Sequence, residues 1–317
     1  MERRQLSMKV AGIDVGKRKL DTAVQGLEDL ICTPNTEAGF SELIGWLRAR
    51  EVGRVGLEAT GGYERGIRAA LEDAGFEVVV HQPLEIMYFG KMRRRRIKND
   101  KEDARLIAAA TAQVDAVKAA QDPRLRDLAE RLTAYEQVTD QIVELKTFME
   151  SVSLKDIARL IEGQIRSLVR LKTRLAADIL TRIRAQADLL SRFRLLLSLP
   201  GVGPIVAASL VIRMPELGSM SRGQAAALLG TAPYDRDSGQ WKGKRFISGG
   251  RARPRKMMYL AALQARRCSP TFKAFSDRLL ARGKPPKVTI VAVMRKLIEA
   301  ANLILQRGQP WTAQLAE

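Results

Sequence analysis

Apolar and polar positions follow two different periods along the chain, and the change between them divides it. From Met8 to Val15 a short apolar run (Val10, Ala11, Ile13, Val15) predicts a buried strand. Lys19 to Gln25 alternates apolar with polar, as an antiparallel neighbour would across a turn at Gly16. Leu30 to Thr33 fits a third strand, and Glu37 to Arg50 places Phe40, Leu43, Ile44 and Leu47 at helical spacing behind a cap at Asn35 or Thr36. Val55 to Ala59 reads as a strand, Gly61 and Gly62 as a turn, Tyr63 to Ala74 as a helix and Phe76 to His81 as a further strand. The order β-β-β-α-β-α-β predicts a mixed sheet flanked by helices.

That order is the pattern of ribonuclease H-like domains, although order alone also suits other α/β folds. Beyond residue 100 the period becomes helical, first over Glu102 to Val117. Leu125, Leu128, Leu132, Tyr135, Ile142, Leu145, Met149 and Val152 then recur at three and four, followed by Ile161, Ile165, Leu168, Leu175, Ile179 and Ile183. The spacings approximate heptads. They predict two long helices, arranged as an antiparallel hairpin or a coiled-coil dimer, or equally as two members of a globular bundle.

Leu199 to Pro204 then forms a Gly-x-Gly turn ahead of the apolar run Ile205 to Ile212. Such a turn presents backbone N–H groups, here at Gly201 and Gly203, that can hold a phosphate as in helix-hairpin-helix modules; any tight interhelical turn uses the same glycines. Helical segments follow at Gln224 to Leu229, Lys256 to Ala265 and Val288 to Ile304, around a loop rich in glycine and basic residues. The organisation expected is therefore three domains: an α/β domain over 1–118, a long helical coiled-coil arm over 119–190, and a mainly α-helical domain over 191–317.

Charge narrows the partner. Of 317 residues, 54 are Lys or Arg and 35 Asp or Glu, a net charge of +19, and +16 of it lies in residues 191–317. A phosphate backbone rewards such asymmetry by counterion release, whereas a solvated basic surface is the plain alternative. One denser run stands apart: Lys91, Arg93, Arg94, Arg95, Arg96 and Lys98, with no acid among them. Two cysteines, Cys32 and Cys268, and one histidine, His81, exclude a disulfide framework and a Cys/His zinc site, so any metal must be held by carboxylates. The first ten residues hold no signal-peptide run, and no window of about 18 apolar residues occurs. The expectation is a soluble, cytoplasmic, nucleic-acid-associated protein with no membrane partner.

Four carboxylates carry candidate chemistry. Asp14 lies inside an apolar strand, where a charge is costly unless paired or holding a cation. Glu58 ends the strand Val55-Gly56-Leu57 and comes beside Asp14 if those strands are neighbours. Asp100 and Asp103 are three apart, on one face of a helix. Each has a plain account as well: a pair with Lys17, a solvated strand end, a helix cap. Together they form an oxygen-only donor set that suits Mg²⁺ and phosphoryl transfer.

The motifs Gly12-Ile13-Asp14-Val15-Gly16-Lys17, Leu57-Glu58-Ala59-Thr60-Gly61-Gly62-Tyr63 and Lys98-Asn99-Asp100-Lys101-Glu102-Asp103-Ala104 resemble the RuvC-like D-E-D-D domain of insertion-sequence transposases related to the pilin-gene invertases. The C-terminal half resembles the same family's transposase domain. There Gly230 to Gln240 and Lys242 to Arg251 are similar to the family's loop around a nucleophilic serine, which the match places at Ser238. Ser248, a rival hydroxyl, has no counterpart role in that pattern. Seven basic side chains and no acid lie between residues 242 and 256; Lys242, Lys244, Arg245 and Arg251, with Arg236, Arg253 and Arg255, are candidates to neutralise a backbone phosphate.

The resemblance implies Mg²⁺ at Asp14, Glu58, Asp100 and Asp103 and strand cleavage through a phosphoserine at Ser238. It also implies donor and target DNA as substrates, a bridge RNA pairing with both, and a homo-oligomer, dimer or tetramer. No histidine lies near the serine, so a Ser-His-Asp arrangement is excluded locally. Two other readings stand beside this one: a junction-resolving nuclease in which the carboxylates activate water, and a non-catalytic nucleic-acid-binding protein. The latter has no use for an acid in an apolar strand.

Overall fold

In a computed structural model, residues 8–94, 100–115, 122–234, 243 and 245–312 are described, apart from the side chains of 100 and 101. The chain divides into two compact units, residues 1–121 and 122–317.

In the first unit, β1 (Lys9–Val15), β2 (Lys19–Val24), β3 (Leu30–Pro34), β4 (Val52–Glu58) and β5 (Glu77–His81) form one sheet in the order β3-β2-β1-β4-β5. β2 runs antiparallel to both β1 and β3, while β4 is parallel to β1 and β5. This is the mixed sheet that the residue pattern predicts. Between the strands lie α1 (Glu37–Ala49) and α2 (Glu64–Asp73). Their Leu43, Leu47, Ile67 and Leu71 are fully buried against Ala11, Ile13, Val55 and Leu57, one face of the sheet. Each such leucine or isoleucine contributes about 1.5–3 kcal/mol of transfer free energy. Thr36 rather than Asn35 caps α1, its hydroxyl accepting from Gly39 N.

The opposite face belongs to α4 (Asp100–Thr111), joined to the sheet through α3 (Pro83–Met92). The periodicity left α3 unassigned: its apolar residues point two ways, and Pro83 at its first turn obscures the start. α4 begins two residues before the expected Glu102 and ends at Thr111 rather than Val117. It reaches the sheet because the strands offer glycine there. A β-carbon at Gly12 would collide with backbone atoms of Ala104, Ile107 and Ala108, and one at Gly56 with the Thr111 hydroxyl.

In the second unit, α5 (Pro123–Met149) and α6 (Lys155–Arg184) are the two long helices of the heptad-like stretch, packed together across a five-residue turn. Leu125, Leu128, Leu132, Ile179 and Ile183 join one core with α7 (Ala187–Leu197), α8 (Pro204–Arg213), α9 (Arg222–Leu229), α10 (Ala252–Cys268) and α12 (Pro286–Arg307). α11 (Pro270–Ala281) adds Phe272. α8 is buried all round from Ala207 to Ile212, which explains why its segment reads as an unbroken apolar run. A two-residue ribbon of β6 (Pro233–Tyr234) and β7 (Phe246–Ile247) completes the unit. No helix among the described residues is long and apolar enough to cross a membrane.

The helix-on-glycine contact generates a stability test. Gly12→Ala sets a methyl group against backbone that cannot rotate away, so a loss of about 3 kcal/mol, at the upper end for overpacking, is expected in urea denaturation. Gly45→Ala, at an exposed helical position with open space, is expected to leave the protein as stable or slightly more so.

Candidate functional site

β1 alternates between faces: Ala11, Ile13 and Val15 enter the core beneath α1 and α2, so Gly12 and Asp14 face α4. The same alternation puts Gly56 and Glu58 of β4 on the α4 side. Gly12 pairs with Gly56 and Ile13 with Leu57; one step further along that register sets Asp14 level with Glu58 on adjacent strands. Strand spacing alone brings their α-carbons to about 5 Å. Asp14 also stands directly opposite Asp21 of β2, and Glu58 opposite His81 of β5. A row of four ionisable side chains, Asp21, Asp14, Glu58 and His81, therefore crosses the carboxyl ends of the parallel strands. Asp103, half-buried, immediately precedes Ala104, whose carbonyl rests on Gly12.

Asp14 and Glu58 thus share the face of the sheet on which α4, the helix that carries Asp103, packs. The side chain of Asp100 lies outside the described residues. Among those described, no group of three or more His, Cys, Asp or Glu is close enough to hold a metal ion. The donor chemistry itself, carboxylate oxygens from two strand ends and a helix, suits a hard divalent cation.

Sequence reasoning missed four residues here. Asp21 is 7% exposed, and its carboxylate pairs with Lys19 Nζ at 2.9 Å, which offsets the repulsion of an acid directly opposite. Its signal was the one used for Asp14, an acid among apolar strand residues. His81 Nε2 lies 2.8 Å from Thr111 Oγ1, and that hydroxyl donates to Ile107 O at 2.7 Å. Thr111 must therefore accept from Nε2–H, which fixes the neutral tautomer and ties β5 to α4. Burial lowers the His81 pKa, with the Glu85 carboxylate acting in the opposite direction. Asn35 Nδ2 donates to Gly16 O at 2.9 Å and to Tyr63 O at 3.2 Å, so one amide links the turn after β1 to the turn after β4.

Glu64 organises the second of those turns: its Oε2 accepts from Thr60 N, Thr60 Oγ1 and Gly62 N at 3.2, 2.8 and 2.8 Å. Burial works against its ionisation, but these donors hold its pKa below the ordinary carboxylate value. The turns that follow Asp14 and Glu58 are fixed by side chains outside the D-E-D-D motifs.

Ser238, with Arg236, Lys242 and Lys244, lies outside the described residues, as do Arg95, Arg96 and Lys98. What the structure describes is the frame around the serine segment. β6 leads into it and β7 leads out, and Gly230 and Gly250 approach so closely that a β-carbon on either would strike the other's neighbourhood. Arg255 Nη1 donates to Gly249 O at 2.5 Å. Arg251 forms a two-pronged pair with Glu216 at 2.6 and 2.8 Å and donates to Arg213 O, while Arg253 pairs with Glu136. These three arginines, candidates for phosphate contact, are thus engaged by protein acceptors that hold the segment's base. Arg245, Arg93 and Arg94 are exposed.

In the interhelical turn, Gly201 has φ +78° and its α-carbon abuts Ala261 and Ala265 of α10, so that glycine serves packing; Gly203 opens α8 with free space around it. Trp311 stacks on Phe272, centroids 5.6 Å apart, and Tyr259 packs against the core, so both have protein partners; Trp241 lies outside the described residues. Neither Cys32 nor Cys268 forms a disulfide.

Two measurements follow. Because the folded-state pKa of His81 lies below its usual 6.5, the neutral ring's contribution is complete above that value and is lost as pH falls through the folded pKa. Melting temperature should therefore drop between about pH 6.5 and 5, with a shallower fall in His81→Gln, whose amide still donates to Thr111. Glu64→Ala removes three acceptor contacts; it should cost about 1–2 kcal/mol and accelerate amide exchange at Thr60 and Gly62 while sparing β2 and β3.

Comparison with known proteins identifies relatives of the chain. A family model described as a transposase matches residues 11–157, and a second, for transposases of the IS116/IS110/IS902 family, matches residues 193–277. The pilin gene-inverting proteins of Moraxella bovis and Moraxella lacunata are each 27% identical over 330 residues, covering 98% of this chain and 100% of theirs. Among solved structures, Thermus thermophilus RuvC matches 36% of this chain and all of its own, at 16% identity and a TM-score of 0.26. The first match spans the carboxylate sheet from Ala11, with α4 and all of α5, and the second spans the interhelical turn and the serine segment. The chain belongs to the IS110 family of insertion-sequence transposases, and is an enzyme of DNA transposition and recombination.

Proposed function

We propose that this transposase cuts and rejoins DNA through a covalent bond to Ser238, assisted by Mg²⁺ held at Asp14, Glu58, Asp100 and Asp103. The observation that supports this most is the row of carboxylates: Asp14 and Glu58 are set level on neighbouring strands, beneath the helix that carries the other two acids. Such a set concentrates negative charge, and a hard divalent ion with phosphate as a further ligand offsets it. A bound divalent ion supplies charge stabilisation to the phosphate oxygens during transfer.

This chain's own residues do the rest. The Ser238 oxygen bonds to phosphorus as the bond to the leaving deoxyribose oxygen breaks; the hydroxyl proton passes to a carboxylate or to solvent, and the leaving oxygen takes up a proton. The phosphodiester energy is kept in the serine ester, so a second strand's hydroxyl can reverse the step and rejoin DNA without a cofactor. Inversion of a DNA segment, the activity named for the Moraxella relatives, needs that conservation.

Arg93, Arg94, Arg95, Arg96, Lys98, Arg236, Lys242, Lys244 and Arg245, with the N–H groups at Gly203, are proposed to bind the nucleic-acid backbone. A bridge RNA pairing with donor and target DNA accounts for site choice without a recognisable base-reading module. The active form is proposed to be a homo-oligomer of cytoplasmic, nucleic-acid-associated subunits, each with an α/β domain over 1–118, a coiled-coil arm over 119–190 and a transposase domain over 191–317.

A suicide substrate that loses a short fragment on cleavage tests the covalent step. The full chain is expected to form a protein–DNA adduct stable to denaturation, absent in Ser238→Ala and greatly reduced in Asp14→Asn. Cleavage by Ser238→Ala at the normal rate would instead assign the nucleophile to water.

A further inference from the structure

We propose that the outward face of α3 is a stacking platform for an unpaired DNA strand. α3 is mounted firmly: Ile86 and Phe89 pack on Leu106 and Ile107 of α4, and Gly90 lies against Leu106. The other side carries Leu84, Met87, Tyr88 and Met92, which are 61%, 41%, 62% and 70% exposed. Positions i, i+3, i+4 and i+8 form one stripe, so these four large apolar side chains meet water together rather than singly. Nothing in folding stability accounts for such a stripe, which is the inverse of an ordinary surface helix.

The charges around it select the partner. Lys91 Nζ sits 5.6 Å from the Tyr88 ring centre, and Arg93 and Arg94 are exposed at the helix end. Residues 86–94 contain no acid, and the carboxylate of Glu85 is turned back to the backbone N–H of Gln82. A flat ring, two polarisable thioethers and three cations within about two turns complement base faces and the phosphates that join them. In a duplex those faces are already stacked on one another, so the fitting ligand is unpaired. Stacking alone does not tell DNA from RNA; the family acts on DNA, hence a DNA strand. Because α3 rests on α4, the helix of Asp103, a strand held here is held on the element that carries part of the carboxylate site. The inference rests on the chain being a DNA-processing enzyme and is independent of which atom is the nucleophile.

Binding of the full chain to a 2-aminopurine-labelled oligodeoxynucleotide, to its duplex and to the matching oligoribonucleotide tests it. The wild type is expected to change the fluorescence of the single strand on binding. Tyr88→Ala should weaken single-strand affinity on the order of 5- to 100-fold, the range for one base stacked on an aromatic ring, with duplex affinity and salt slope unchanged. Tyr88→Phe should restore it. The double variant Arg93→Gln/Arg94→Gln should instead flatten the salt slope by about 1.4. Tyr88 is exposed, so an unchanged melting temperature is the folding control. The proposal is overturned if Tyr88→Ala leaves single-strand binding intact, or weakens duplex equally. It is also overturned if the oligoribonucleotide binds more tightly than DNA, or if the variant alters only the mass in sedimentation, which would mark the stripe as a contact between copies of the chain. A missing Ser238 adduct would leave all these binding results standing.

Discussion

The carboxylate site depends on how closely one helix can approach two strands. Helix and sheet usually stand about 10 Å apart because side chains fill the gap. At Gly12 and Gly56 there is none, and α4 settles onto the strand backbones with Ala104 and Ala108 on one glycine and Ile107 and Thr111 on the other. The same strand faces then carry Asp14 and Glu58 two residues beyond those glycines. Glycine at 12 admits the helix, and the acid at 14 stands two residues further along the same strand face. An alanine-rich α4 fits the same logic, since larger side chains at 104 and 108 would lift Asp103 away from the sheet.

That closeness has an electrostatic cost, which the structure meets locally. Asp21 stands opposite Asp14 and takes Lys19 as its partner; Glu64 is held ionised by two backbone N–H groups and a hydroxyl; and burial lowers the pKa of His81, the row's other member, whose Nε2–H donates to Thr111. The neutral ring anchors β5 to α4 through that bond and adds no charge beside Glu58. Asn35, joining the turns after β1 and β4, limits how far the two carboxylate-bearing strand ends can separate.

The first unit's strand order and the identity of its acids were legible because each has a local signature: a period of two in the strands, and an acid where the pattern demands an apolar residue. Asn35 was read as a possible cap, since sequence shows an amide after a strand but not which carbonyl it will reach; its partners lie 19 and 28 positions away. α3 escaped because sequence methods look for a buried stripe, and its more conspicuous stripe is the exposed one. α7 and α11 were missed for a different reason. They are short elements whose apolar residues dock into a shared core, so tertiary packing supplies what their own patterns lack. The serine segment was legible only through its family motif, because Asp-Ser-Gly is ordinary turn chemistry.

Charge counting found the polyanion but could not distribute the labour among cations. Arg251, Arg253 and Arg255 counted toward the basic C-terminal segment, yet their guanidinium groups meet Glu216, Glu136 and the carbonyl of Gly249. Pairing does not erase their charge from the long-range field. A chain of net charge +19 attracts DNA whichever of its arginines are internally bonded, because the field sums all of them. What pairing changes is contact: a guanidinium that must abandon a two-pronged carboxylate gains little by exchanging it for a phosphate. Arg251, Arg253 and Arg255 therefore shape and hold the base of the serine segment.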